Sequence, residues 1–124
     1  MNWKFWGFIG GLSSGIAVLI SALAGHYLKK ILPADSINLF EIASRYQMYH
    51  GIALLCCSFA AARSDSRYFQ VAGVSFLAGL GFFCGSLYGL AFTQVPWLAY
   101  LTPLGGACLV SGWFNLGIGI ANIE

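Results

Sequence analysis

The sequence predicts an all-α fold, an integral membrane four-helix bundle of up-down-up-down topology, with residues 1–124 forming a single transmembrane domain. Three observations predict it. The chain is 59% hydrophobic and 8% charged, whereas a soluble domain covers its surface with about 25% charged residues. The charges are confined to the ends and to two stretches, Lys29 to Arg45 and Arg63 to Arg67. Between them lie long uncharged runs, and about 20 apolar residues in a helix suffice to cross about 30 Å of hydrocarbon. Helix is the expected state because lipid requires every backbone donor and acceptor to be paired within the segment. A barrel would need period-two alternation over many strands, and the sequence has none.

Span one covers about 5–28, an uncharged run closed by Lys29 and Lys30. Lys4, the apolar run and Ala22-Leu23-Ala24 also fit a cleavable secretory signal, but the run is longer than a signal core and reads as a span. Leu32-Pro33-Ala34-Asp35-Ser36 is a polar turn, with Asp35 or Ser36 as the expected N-cap. Span two follows at about 40–62 and ends at the polar turn Arg63-Ser64-Asp65-Ser66-Arg67. Residues 68–123 are 56 uncharged positions, too many for one crossing and enough for two. Thr93-Gln94-Val95-Pro96 divides them, because the residue before a proline disfavours helix and proline itself suits a first helical turn. Spans three and four are therefore expected at about 68–92 and 97–121. Turns this short make successive helices antiparallel neighbours.

The glycine pattern predicts how the helices meet. Gly7, Gly11 and Gly15 recur every four residues, as do Gly81, Gly85 and Gly89; Gly105, Gly112 and Gly119 recur every seven. Such spacings keep small residues on one helix face. In lipid, helices associate through close backbone approach over small residues rather than by burying leucine. The stripes are therefore expected to pack the bundle or to meet a partner, a pore along them being the alternative. Span two has Gly51 alone and bulkier side chains, so it is expected to face lipid or a partner more than the others do. Trp3, Trp6, Trp97 and Tyr100 are expected at the membrane interfaces.

The polar residues gather toward one end of spans one and two: His26, Lys29, Glu41, Arg45, Tyr46, Gln47 and His50. Glu41 and Arg45 stand four apart in the acid-first order that favours an ion pair on a helix. With Tyr46 at the interface, His50 would lie about 6 Å deeper and level with His26 on the adjacent helix. Three readings stay open: the imidazoles ligate haem or line a quinone or lipid pocket; they relay protons; or they hydrogen-bond locally and fix the helix pair. Two histidines are too few for zinc, and no metal or cofactor is expected. The cysteines, Cys56, Cys57, Cys84 and Cys108, lack metal spacing and read as small apolar packing residues. Pro103 removes a backbone donor near the start of span four, a cost that is small if it lies in the first turn.

Gly25-His26 with a nearby lysine, Tyr46-Gln47 with His50, Gly85-Ser86-Leu87-Tyr88, Thr102-Pro103-Leu104-Gly105-Gly106 and Gly112-Trp113 occur in this order. As a set they resemble the domain of unknown function 423 family, small four-helix membrane proteins of bacteria with mitochondrial relatives. The resemblance covers nearly the whole chain and departs from the family pattern at Ser21 to Ala24 and at Cys84. It implies a bacterial inner (plasma) membrane location with both termini cytoplasmic, a side that the count of basic residues alone leaves tied. It implies no reaction.

Function classes narrow accordingly. A net charge of +2 is too small for a nucleic-acid footprint. No pair of carboxylates is poised for acid–base work, and four spans leave almost no soluble domain for chemistry. The expectation is a non-enzymatic accessory or assembly subunit in the lipid bilayer, packed against a larger membrane complex such as a respiratory one. A homo-oligomeric transporter or channel is one alternative. Quinone, haem or lipid binding at the end that carries His26 and His50 is another.

Overall fold

A computed structural model describes residues 2–124, and among these every regular element is helical. Helix α1 runs Trp3–His26, with the Asn2 side chain accepting from the Phe5 amide at its start. A single 3-10 turn at Leu28–Lys30 leads into α2, Ala34–Arg63. Helix α3, Arg67–Gly79, passes through a π-helical turn at Leu80–Cys84 into α4, Gly85–Thr93. Gln94 then takes a left-handed conformation, with φ of 56°. That residue ends α4 and reverses the chain ahead of Pro96. A 3-10 stretch at Pro96–Tyr100 feeds α5, Leu101–Ala121. Pro103 lies in the first turn of α5, where the missing amide has no intrahelical partner to lose.

Among the described residues, three continuous helical rods are long and apolar enough to cross a membrane: Trp3–Lys30, Arg67–Thr93 and Pro96–Ala121. Helix α2 is not among them, although it is the longest single helix at 30 residues. It begins at Ala34 rather than near residue 40, with Pro33 as its N-cap in place of Asp35 or Ser36. It thus draws Asp35, Glu41 and Arg45 into its length, and Arg45 falls in its central third.

Pairwise contacts give the packing. Ser58 Oγ donates to the Trp3 carbonyl at 2.6 Å, and Gln47 Nε2 to the Ser13 carbonyl at 2.9 Å, so α1 and α2 run antiparallel. Phe40 meets Phe92, Tyr46 stacks on Phe83, and His50 lies against Phe76, so α2 runs antiparallel to the α3–α4 rod. Gly105 faces Phe83, Gly112 faces Phe76 and Gly119 faces Phe69, so α5 runs antiparallel to that rod too. Helix α2 is therefore an inner element and not the lipid-facing one expected from its bulk. Its buried residues include Ser36, Ser44, His50 and Ser58. A lipid-facing helix must be apolar outside, whereas polar side chains are tolerated where neighbouring helices can bond them.

The core centres on Trp6, which is fully buried against Gly73 and donates its Nε1 hydrogen to Gln70 Oε1 at 3.2 Å. Trp6 is thus a core anchor rather than an interfacial residue. Trp3, Trp97 and Tyr100 are exposed. Around Trp6 pack Leu54, Cys57, Phe69, Phe76, Leu109 and Leu116.

Candidate functional site

The glycines divide into two populations. A Cβ on Gly105 would collide with the Phe83 amide and lie 2.7 Å from the Phe82 carbonyl carbon; one on Gly112 would lie 2.5 Å from the Phe76 ring; one on Gly119 would lie 2.7 Å from the Phe69 ring. The seven-residue repeat of α5 therefore lies along the α3 contact. On α1 the close approach is made by Gly10, 2.7 Å from the Gly51 carbonyl by the same measure, and by Gly7 against Ser58. Gly11 and Gly15 meet nothing within 4 Å, and neither do Gly81 and Gly85; Gly89 touches only Leu98. The two four-residue stripes are thus mostly directed away from the chain's own helices. Their spacing holds them on a common face, but the internal seam of α1 runs through Gly10, Ala17 and Ala24, where seven-residue steps follow the partner helix.

Among the described residues the interior polar groups are bonded to one another or to backbone, except Ser14 Oγ, which is buried without a partner. Trp113 Nε1 donates to His50 Nε2 at 3.0 Å, and His50 Nδ1 lies 2.7 Å from the Tyr46 carbonyl. Indole nitrogen can only donate, so His50 Nε2 accepts and Nδ1 carries the proton. Both ring nitrogens are engaged by the protein. Gln47 joins three helices, donating to the Ser13 carbonyl and accepting from the Tyr88 hydroxyl at 2.8 Å. Ser86 Oγ donates to the Phe83 carbonyl in the π-helical turn and lies 2.6 Å from Thr102 Oγ1. The motif residues Tyr46, Gln47, His50, Ser86, Tyr88, Thr102 and Trp113 thus form cross-helix ties. Gly106 lies 3.9 Å from the Phe83 ring by the Cβ measure.

His26 and His50 are not brought together. Gly10 meets Gly51, so His50 is level with the Gly10 region and His26 lies about 24 Å further along α1, at about 1.5 Å per residue. His26 is exposed at the helix end. The expected pairing fails because α2 starts a turn and a half earlier than the sequence suggests, which carries His50 deep into the bundle. Two axial imidazoles on facing helices are therefore excluded, and no group of three or more His, Cys, Asp or Glu gathers to hold a metal ion among the described residues.

What stays open lies on the outer surface. Between α1 and α2 a groove of about 530 Å³ is lined by Ala17, Ser21, Ala22, Gly25, Glu41, Ser44, Arg45, Met48 and Tyr49. Glu41 and Arg45 are exposed there and form no ion pair among the described residues. Lys29 and Glu41 line a separate, smaller groove of about 250 Å³. Between α2 and α5, an apolar groove of about 720 Å³ runs past Tyr46, Tyr49, His50, Phe83 and Trp113. A third, of about 370 Å³ between α1 and the π-helical turn, has Gly81 and Gly85 in its wall. Sequence reasoning missed Gly10 and placed Trp6 at the interface instead of in the core. The heptad spacing of Gly10, Ala17 and Ala24 was the available signal for the first.

Comparison with known proteins sets this architecture in a family. The family described as Protein of unknown function (DUF423) matches residues 20–106. A UPF0382 membrane protein of Haemophilus influenzae is 36% identical over 108 residues, covering 87% of this chain and 86% of that protein. The UPF0382 membrane protein SSP2132 of Staphylococcus saprophyticus is 36% identical over 115 residues, covering 93% and 95%. The UPF0382 inner membrane protein YgdD of Escherichia coli K12 is 29% identical over 124 residues, covering 100% and 95%. No solved structure matches.

Proposed function

The chain belongs to the DUF423 family of membrane proteins, and from that premise we propose that it is a non-enzymatic accessory or assembly subunit that packs against a larger membrane complex. It crosses the inner membrane four times, up-down-up-down, with both termini on the cytoplasmic side. Helix α2 completes the four crossings because its inward polar side chains, Gln47, His50 and Ser58, are bonded by neighbouring helices. The observation that supports the subunit reading is the outward glycine face. Gly11 and Gly15 on α1 are exposed and meet nothing within 4 Å, and Gly81 and Gly85 are exposed in the wall of the neighbouring groove. Exposed glycine gains nothing from lipid, yet it lets the backbone of another helix approach closely. It also costs helix stability relative to alanine. Inside, the His50 imidazole, the Gln47 amide and the Tyr88 hydroxyl are committed to structural hydrogen bonds.

The test is gentle extraction after brief chemical cross-linking, with the bound proteins identified by mass spectrometry. A defined set of larger membrane subunits is expected with the wild-type chain and is expected to be lost from Gly11→Leu/Gly15→Leu, whose fold has room for the change. A monomer without partners at every stage overturns the reading. A pure homo-oligomer favours the transporter or channel reading instead.

A further inference from the structure

The groove between α1 and α2 carries two unpaired charges of opposite sign in a defined order of depth. Phe40 packs on Phe92, with ring centroids 4.9 Å apart, so residue 40 is level with the end of α4 at Thr93. The exposed Tyr27, Lys29 and Lys30 lie beyond that level, and the exposed Trp97 and Tyr100 lie at about it, since Leu98 meets Gly89. Aromatic and basic side chains of this kind mark the headgroup layer. Glu41 therefore stands at the edge of the hydrocarbon, and Arg45 stands one helical turn, about 6 Å, deeper. Neither forms an ion pair within the chain among the described residues, although an ionic group at this depth normally has a partner. Below them the same groove continues over Ala17, Ala22 and Met48, an apolar floor.

We infer that this groove binds an aminophospholipid, with the phosphate on Arg45, the ammonium on Glu41 and one acyl chain along the floor. The order of charges decides it. In a phosphatidylethanolamine headgroup the phosphate lies next to the glycerol, toward the hydrocarbon, and the ammonium lies further out. The protein presents the complementary signs in that order, cation deep and anion shallow. An anionic lipid such as phosphatidylglycerol would place its phosphate equally well but would set a neutral diol against the Glu41 carboxylate. Guanidinium suits a phosphodiester because its planar donors match two of the oxygens. Ser44 does not compete, since its hydroxyl is already donated to the Glu41 carbonyl at 3.2 Å.

The inference is independent of the partner reading, and its test uses the isolated protein. The full chain in mild detergent is titrated with phosphatidylethanolamine, phosphatidylcholine and phosphatidylglycerol of identical acyl chains, and bound lipid is counted by native mass spectrometry. Wild type is expected to bind phosphatidylethanolamine about fivefold tighter than phosphatidylglycerol, the scale of one half-exposed ion pair. Phosphatidylcholine, whose methylated ammonium cannot donate a hydrogen bond, should fall between them. Glu41→Gln should abolish the ranking while keeping affinity for phosphate lipids. Arg45→Gln should weaken all three. The exchange Glu41→Arg/Arg45→Glu keeps the composition but inverts the order of depth, and should lose the preference for phosphatidylethanolamine. Equal binding of the three lipids to wild type overturns the inference, and so does an unchanged ranking in Glu41→Gln. The wild-type ranking alone decides if a variant fails to fold.

Discussion

Gly10 and Gly11 are neighbours in the chain with opposite surroundings, and comparing Gly10→Ala with Gly11→Ala isolates the helix-packing term. Both substitutions improve intrinsic helix propensity by about 1 kcal/mol, so that gain cancels in the difference. At Gly10 the new methyl would lie 2.7 Å from the Gly51 carbonyl oxygen, 2.9 Å from the Leu55 amide nitrogen and 3.0 Å from Leu54 Cβ. Heavy-atom contacts are favourable near about 3.5–4.0 Å. Two of the three obstacles are backbone atoms, which cannot swing aside as a side chain could. Helices α1 and α2 must separate locally by roughly half to one ångström, and overpacking of this kind costs about 1–3 kcal/mol. At Gly11 nothing lies within 4 Å, and the methyl enters lipid. Gly10→Ala should therefore be less stable than Gly11→Ala by about 1–3 kcal/mol, between about 5-fold and about 150-fold in the unfolding equilibrium at 25 °C. The assay is denaturation in mixed micelles of rising sodium dodecyl sulfate fraction, followed by far-ultraviolet circular dichroism. Equal stabilities, or a larger loss in Gly11→Ala, would refute the placement of Gly10 on the seam and of Gly11 outside it.

Three further outcomes are expected. Trp113→Phe removes the donor to His50 Nε2 and should cost about 0.6 kcal/mol, the average for hydrogen bonds between membrane helices, and no more than about 1.7 kcal/mol; nitrogen NMR of wild type should show the Nδ1-protonated tautomer, and a predominant Nε2-protonated form would contradict the bond. Tyr88→Phe and Gln47→Leu share one tie, so a double-mutant cycle of unfolding free energies should give a coupling of at least about 0.5 kcal/mol, and strict additivity would remove the bridge. Cys56 is exposed while Cys57 and Cys84 are buried, so a membrane-permeant maleimide counted by mass spectrometry should modify Cys56 well before either of the others, and simultaneous modification would contradict the packing of α2.

How far the sequence could be read depended on whether a feature was local or relational. Helix and turn positions are local: charge clusters and prolines mark where apolar runs stop, and the Thr93-to-Pro96 break coincides with the left-handed Gln94. The heptad of Gly105, Gly112 and Gly119 lies on the α3 contact because a seven-residue repeat tracks a straight antiparallel neighbour over several turns. The four-residue stripes mark a face equally well but do not say whether that face turns inward. Gly11 and Gly15 turn out, while Gly7 and the neighbouring Gly10 turn in. The depth of His50 was misjudged because α2 begins at Ala34, and no strong cap in the sequence announces that start. The Trp113–His50 bond is 63 residues long in sequence, and nothing local in either residue encodes it.

The position of α2 bears on where function can reside. It is the helix least suited to lipid, and the bundle places it where α1, α4 and the π-helical turn can reach its polar side chains. Each tie that makes this possible consumes a group that could otherwise act on a substrate: Gln47 is held by Ser13 and Tyr88, His50 by Tyr46 and Trp113, Ser58 by Trp3. Polar groups spent on stability inside hydrocarbon are poor candidates for turnover, because releasing one exposes an unsatisfied partner at a cost of about 1–3 kcal/mol. Among the described residues, Glu41, Arg45 and the outward glycines lie on the outer surface without a partner in the chain, and the Ser14 hydroxyl is the unpaired polar group inside. An interior whose imidazole, amide and most hydroxyls are tied by hydrogen bonds, with the Ser14 hydroxyl alone left over among the described residues, and an exterior with unpaired charge and bare backbone argue for recognition at the surface rather than reaction within.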